Sequence, residues 1–361
     1  MIEKQMSTNL MEASREWASR PADQRFQTLP ELKAAVHTRR CRSRAVDLDI
    51  TSIKVASGER GLVINSAISE CRPSHWSFGQ LATSVGAPAS YLRKLPDNLV
   101  VDCLSHGLTH APRESVKFMT VAPEEDGPAT LQAVTSTTYG RIWDADVADA
   151  VSRLVDRTGN RFYNPKDYRG TPGGLYASDH DIFVFMIDGG SVMDAGPRAQ
   201  LNRGFIVWNS ETGARTFGLM TFLFNHVCGN HIIWGATDIN KLVIRHTSGG
   251  PYRFDAQAAP ALKAYVDASE APMISAVRKA QAMLLPDKRE ELVVWVKKHG
   301  KFTGGEISEA VNFAKSEEGE CRTLWQLVQG FTAYARGFEY VDTRVDLEKR
   351  AGALLELVSG N

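Results

Sequence analysis

Between Arg203 and Trp234 the chain reads RGFIVWNSETGARTFGLMTFLFNHVCGNHIIW. Apolar and aromatic runs of strand length are broken by the polar turn Asn209-Ser210-Glu211-Thr212-Gly213 and again at Cys228-Gly229-Asn230. Turn residues between apolar runs signal paired strands. The neighbouring runs Ile182–Ile187, Phe205–Trp208, Thr216–Phe224, His231–Trp234 and Leu242–His246 make 175–247 the most strand-rich part of the sequence. From Ala258 onward the apolar spacing becomes helical, with breaks at Leu285-Pro286, Gly304-Gly305 and Gly337.

Upstream, Leu29–Arg40 has helical character, Val46–Ile50 alternates like a strand, and Ser57–Gly61 reads as the turn of a hairpin. Phe78–Val85 and Asn98–His106 are expected helices, and Val116–Val121 and Thr130–Ser136 a second strand pair. Asp144 is placed to cap a helix through Asp156, with Val147, Val151, Leu154 and Val155 on one face. Residues 160–174, rich in Gly, Pro, Tyr and Arg, read as a loop. The expectation is an α+β fold: a central, mostly antiparallel sheet with packed helices, then a helical C-terminal region. The organisation read from this is a mobile tail over 1–26, an α+β core over 27–250 and helices over 255–358.

The 361 residues carry 42 Lys+Arg and 42 Asp+Glu, so no global charge signals nucleic acid or membrane. A balanced total still permits a local basic patch. The cysteines at 41, 71, 103, 228 and 321 form no CxxC pair, the pattern of a reduced, cytoplasmic chain. No apolar run reaches the ~18 residues of a membrane span, and the start has no apolar stretch of signal-peptide length.

Catalytic signatures are weak. His226, Cys228 and His231 place three metal-capable side chains close together, but a structural zinc takes four ligands, usually as two spaced pairs. In strand-like sequence His226 and Cys228 share a face while His231 lies past a turn, so the preferred reading is a small buried thiol and hydrogen-bonded histidines. Ser178–Asp181 and Glu124–Asp126 are acidic clusters at turns, where such residues serve local hydrogen bonding. Ser210 and Cys228 are candidate nucleophiles without a recognised surrounding motif. There is no GxxxxGK[ST] and no GxGxxG after a strand. No catalytic residue, metal or cofactor is assigned; a metal-dependent nuclease or hydrolase using His226, Cys228, His231 and Glu211 stays as the alternative, as does a protein-binding inhibitor of a host defence system.

Basic residues say more. Lys33 to Arg44 contains Arg39, Arg40, Arg42 and Arg44 and no acid. Further along, Arg161, Lys166 and Arg169 are interleaved with Phe162, Tyr163 and Tyr168. Cations along a backbone with rings for stacking are what sequence-independent binding of single strands requires.

Three segments resemble a phage- and plasmid-borne family known as domain of unknown function 932. They are Ala133–Ile142 with Tyr139-Gly140-Arg141, then Gly204–Ala214 continuing to Val227-Cys228-Gly229-Asn230, and Leu324-Trp325-Gln326-Leu327 with Phe331-Thr332-Ala333-Tyr334. The family often has Arg before the tyrosine, where this chain has Thr138. A more distant analogy is to single-strand annealing proteins of the RecT/Redβ type. The family's company in mobile elements implies a role in phage or plasmid biology. Taken with the basic and aromatic residues and the annealing-protein analogy, the expectation is a nucleic-acid-binding protein, with single-stranded DNA as partner, acting in annealing or recombination as a homo-oligomer and not at a membrane. The expected contacts are Arg39, Arg40, Arg42, Arg44, Arg141, Arg161, Lys166 and Arg169 to phosphates and Tyr139 and Tyr163 to bases. Asn209, Ser210, Glu211 and Gly213, with Cys228 and Asn230, are expected to shape a polar turn lining the groove.

Overall fold

A computed structural model describes residues 24–59, 61–112, 114–165, 173–194, 200–225, 230–232, 242–267, 271–335, 347 and 350–359. Helix α1 (Leu29–Arg42) starts at a capping box: Thr28 accepts from the Glu31 amide, and the Glu31 carboxylate reaches back to the Thr28 amide. Six strands then make a mixed sheet: β1 (Ser43–Asp49), β2 (Lys54–Gly58), β3 (Gly61–Asn65), β4 (Glu70–Pro73), β5 (Ser115–Val121) and β6 (Ala129–Thr135). Their spatial order is β1-β5-β6-β4-β3-β2, and only the β4–β6 pair is parallel. Between β4 and β5 the chain forms α2 (His75–Ser84), the single turn α3 (Ala89–Leu92) and α4 (Asp97–Thr109). These helices cover one face of the sheet, burying Leu81, Leu92 and Leu104 against Val116, Phe118 and Leu131.

Helix α5 (Asp144–Arg157) leads into the second sheet. Its strands are β7 (Phe162–Tyr163), β8 (Leu175–Ala177), β9 (Ile182–Asp194), β10 (Gln200–Asn209), β11 (Phe217–Asn225), β12 (Asn230–Ile232) and β13 (Leu242–Ile244). All its pairings are antiparallel, along the path β12-β11-β10-β9-β7 with β13 beside β11 and β8 beside β9. Alternation decides the faces: Val184, Met186, Phe205 and Val207 meet α1 and α5, while Phe183, Phe185, Ile206 and Trp208 form an apolar cluster on the other side. Val147 and Val151 of α5 are fully or nearly buried there, each burial stabilising by about 1.5–3 kcal/mol.

The C-terminal helices are α6 (Gly250–Asp267), α7 (Ala271–Ala282), α8 (Arg289–His299), α9 (Gly304–Glu318), α10 (Leu324–Ala335) and α11 (Glu356–Ser359). Helix α6 packs on the second sheet through Phe254, Ala258 and Leu262, so the helical region begins as part of the core. The remaining helices close their own cluster around Val296, Ile307, Phe331 and Leu354, joined by Leu201 of β10. A side chain at Gly330 would collide with the Ala310 carbonyl, and glycine there lets α9 and α10 cross closely. Trp325 and Phe331 are buried in this cluster.

The α+β architecture with a helical C-terminal region is the one expected, with its strands divided between two sheets. Two expectations change. Arg25 bridges to Tyr176 and the Phe26 amide donates to Leu175, so the chain is tied to β8 before residue 27. Asp144 does not cap its helix: Trp143 holds the cap position, and the Asp144 side chain turns inward. Among the described residues no helix is long and apolar enough to cross a membrane.

Candidate nucleic-acid interface

The turn Asn209–Thr212 closes β10 in the seam between the two sheets, and its side chains are buried. Asn209, Ser210 and Thr212 are 0% exposed and Glu211 2%. A buried polar group is costly unless it is hydrogen-bonded, which explains the density of contacts. The Asn209 amide donates to Ile142 O at 2.9 Å and to Asp144 Oδ1 at 2.8 Å. Ser210 Oγ donates to His180 O at 2.6 Å and accepts from the Ala214 amide at 2.8 Å. Thr212 O accepts from Gln80 Nε2 at 2.7 Å and Trp76 Nε1 at 3.3 Å, while Gln80 Oε1 accepts from the Val134 amide. Through Thr212 the second sheet is therefore fastened to α2 and β6 of the first.

Arg39 carries internal ion pairs of the seam. Arg39 of α1 places Nη2 2.7 Å from Asp144 Oδ2 and Nε 3.1 Å from Glu211 Oε1, and Nη1 donates to Ser178 O. The Nε–Oε1 approach is an ion pair but is too poorly aligned for a hydrogen bond, leaving both atoms unpaired in that sense. Glu211 Oε2 accepts from the Asp144 amide at 3.1 Å. The carboxylate that caps α5 is thus supplied by another element and meets the positive end of the helix. Complete burial, then the neighbouring Glu211 charge, push the Asp144 carboxyl well above the usual carboxylate range, with Arg39 and Asn209 opposing. Arg141, 8% exposed, donates to Glu211 O and lies 5.4 Å from both the Tyr139 and Trp143 ring centres. Tyr139 donates to Ser210 O at 2.9 Å and stacks on His246, whose imidazole burial holds down at about 4.

The expected phosphate track therefore does not form one open surface. Arg39 and Arg141 face inward, because the seam's carboxylate and carbonyl oxygens need their donors. Arg42 donates to Ala122 O and pairs with Glu124, and Arg161 makes a two-point pair with the fully buried Asp188. The Arg40 guanidinium sits 3.7 Å over the Trp143 ring. Arg44 is exposed on the edge strand β1, and Tyr163 is 38% exposed beside Gly189. Tyr139 is committed at both its hydroxyl and its ring. Lys166, Arg169, His226 and Cys228 lie outside the described residues, and Asn230 and His231 contribute backbone to β12. Asn209, Ser210 and Glu211 are enclosed, whereas Gly213, at φ +93°, reaches a groove. Ser210 is enclosed with its hydroxyl engaged, which removes it as an accessible nucleophile.

That groove is an open feature beside the seam. A cavity of about 530 Å³ is lined by His75, Trp76, Gln80, Arg93, Thr135 and Gly213, among others. A second, about 380 Å³, adjoins it through the same His75 and Arg93 and is lined further by Arg72, Phe78 and Asp97. Ser74 caps α2 by accepting from the Ser77 amide, which sets His75 and Trp76 on the first turn. Arg93 follows the α3 turn, donates to His75 O at 2.8 Å and lies 5.2 Å from the Phe78 ring centre. His75, Arg93 and Lys94 are exposed, as is Tyr91 at 58%. Arg72 Nε is shielded from solvent and has no hydrogen-bond partner among the described residues. These residues carry no motif. The signal available was two short clusters of cations and rings, Arg72-Pro73-Ser74-His75-Trp76 and Tyr91-Leu92-Arg93-Lys94, which only the fold brings together.

Fold and site define an α+β protein of two sheets clamped by a buried charged seam, with a cationic, ring-bearing groove beside it. Compared with known proteins, the sequence matches no family model, no curated protein and no solved structure. Among the described residues no group of three His, Cys, Asp or Glu side chains is placed to hold a metal ion.

Proposed function

We propose that this chain binds single-stranded nucleic acid, DNA in the first instance, along the paired grooves around His75 and Arg93. The observation that carries the reading is the sharing of those two exposed residues by adjoining cavities of about 530 and 380 Å³. Arg72 and Arg93 outnumber the one lining acid, Asp97, and Trp76 supplies a ring. A cationic path with stackable rings suits a strand whose bases are unpaired. The resemblance to a mobile-element family supports a role in annealing or recombination in the cytoplasm of a phage or plasmid host. Self-association would use the C-terminal region, where Leu284, between α7 and α8, and Val294 of α8 stand 75% and 68% exposed.

Fluorescence anisotropy with labelled single- and double-stranded oligonucleotides across a salt series tests this. The expected result is preference for single strands and affinity that falls linearly with log salt. Absence of binding at low salt discards nucleic acid as the partner.

A further inference from the structure

The larger cavity differs from its neighbour in one respect that a phosphate path alone does not need. Its lining includes Thr135, 9% exposed at the end of β6, whose Oγ1 is buried and has no hydrogen-bond partner among the described residues. A buried hydroxyl left unpaired is unfavourable, and a groove wall is where a ligand can satisfy it. Around it the lining is mixed: Val116, Val134 and Ala89 are apolar, Trp76 is aromatic, and His75 and Arg93 stand at the boundary with the smaller cavity. The Trp76 ring is oriented in advance, since Nε1 donates to Thr212 O and His180 stacks at a centroid distance of 5.8 Å. Gln80 is engaged by Thr212 O and the Val134 amide, whereas Thr135 Oγ1 is a buried polar atom of this lining with no partner among the described residues. At about 530 Å³ the space falls within the ~300–1,000 Å³ typical of small-molecule sites.

We propose that this cavity receives one unstacked nucleobase of the bound strand, its ring on Trp76, an edge atom hydrogen-bonded to Thr135 Oγ1, and its phosphate against His75 and Arg93. The proposal rests on the nucleic-acid reading above and assigns a base subsite within it. A ring with a polar edge and an anionic tether matches an apolar wall, a lone hydroxyl and a cationic rim together. A purely backbone-tracking groove would leave the Thr135 hydroxyl without a partner.

The test compares two labelled single-stranded oligonucleotides of equal length, one with bases and one abasic. Anisotropy is measured for the wild-type protein, Trp76→Ala, Trp76→Phe and Thr135→Val. Stacking of one base corresponds to a preference for the base-bearing strand of about 5- to 150-fold, from ~1–3 kcal/mol. Trp76→Ala should collapse that preference towards one, and Trp76→Phe, which keeps a ring, should restore most of it. Thr135→Val, nearly the same shape, should reduce discrimination among homopolymers of different bases; it also serves if Trp76→Ala fails to fold. Equal binding of both strands by the wild-type protein overturns the base subsite, as does an undiminished preference in both Trp76→Ala and Thr135→Val. In either case salt-dependent binding would leave the nucleic-acid reading standing. No binding of either strand at low salt overturns both.

Discussion

The seam at Asn209–Thr212 and the groove at His75–Arg93 meet at the Thr212 carbonyl, and both are rich in charge, yet they handle it in opposite ways. In the seam buried charges lie against opposite partners within the protein, Arg39 with Asp144 and Glu211 and Arg215 with Asp181 at 3.0 Å, while Arg141 donates to the Glu211 carbonyl. In the groove Arg72 and Arg93 face one acid, and the Thr135 hydroxyl has no hydrogen-bond partner among the described residues. Charge satisfied internally fixes the relative placement of two sheets. Charge left unmatched at an open surface is available to a partner. Residue type alone does not separate the two cases, since arginines and aromatic rings occur in both.

Breaking the seam should have the largest effect. Arg39→Met removes the cation shared by two buried carboxylates and should cost about 3–5 kcal/mol in urea unfolding; a loss below ~1 kcal/mol would mean the seam does not hold the sheets. The next effect depends on pH. Asp144 is raised above its unfolded value, so its contribution is fully present below the ordinary carboxylate pKa near ~3.9 and is lost as pH rises through the raised value. Wild-type stability should therefore decline relative to Asp144→Asn between acid and alkaline conditions, by ~1.4 kcal/mol for each unit of elevation. Parallel urea midpoints for the two proteins at pH 5, 6.5 and 8 would contradict the burial of that proton. Asn209→Ala, which strips donors from Ile142 O and Asp144, should cost about 1–3 kcal/mol by the same assay. The smallest effect belongs to the groove: Arg93→Ala should stay within ~0.5 kcal/mol of wild-type stability, and a large loss would recast Arg93 as a structural residue.

Much of the fold was legible because it rests on periodicity. The expected helix from Asp144 to Asp156 is observed as Asp144–Arg157, and the strand Phe205–Trp208 lies inside Gln200–Asn209. The division of the strands was not legible, since apolar alternation gives a strand's faces without naming its neighbours. The turn Asn209–Gly213 stands out in the sequence, yet its enclosure depends on Arg39, Asp144 and Ser178, which lie 31 or more positions away. The same holds for the arginines at 39–44. Their spacing suggests a track, but burial of Asp144 and Glu211 draws Arg39 inward and Trp143 takes up Arg40. The groove was missed because α2 separates its two cation-bearing clusters.

The most direct measurement compares the salt dependence of single-strand binding for the wild-type protein, Arg72→Ala/Arg93→Ala and Arg40→Ala/Arg44→Ala. If the open groove is the interface, the first pair should weaken binding and lower the slope of log affinity against log salt by about 1.4, since each phosphate contact on a single strand contributes ~0.7. The second pair should leave both close to wild type. The reverse outcome, with slope and affinity lost only when Arg40 and Arg44 are removed, would place the interface on α1 and β1 and contradict the account.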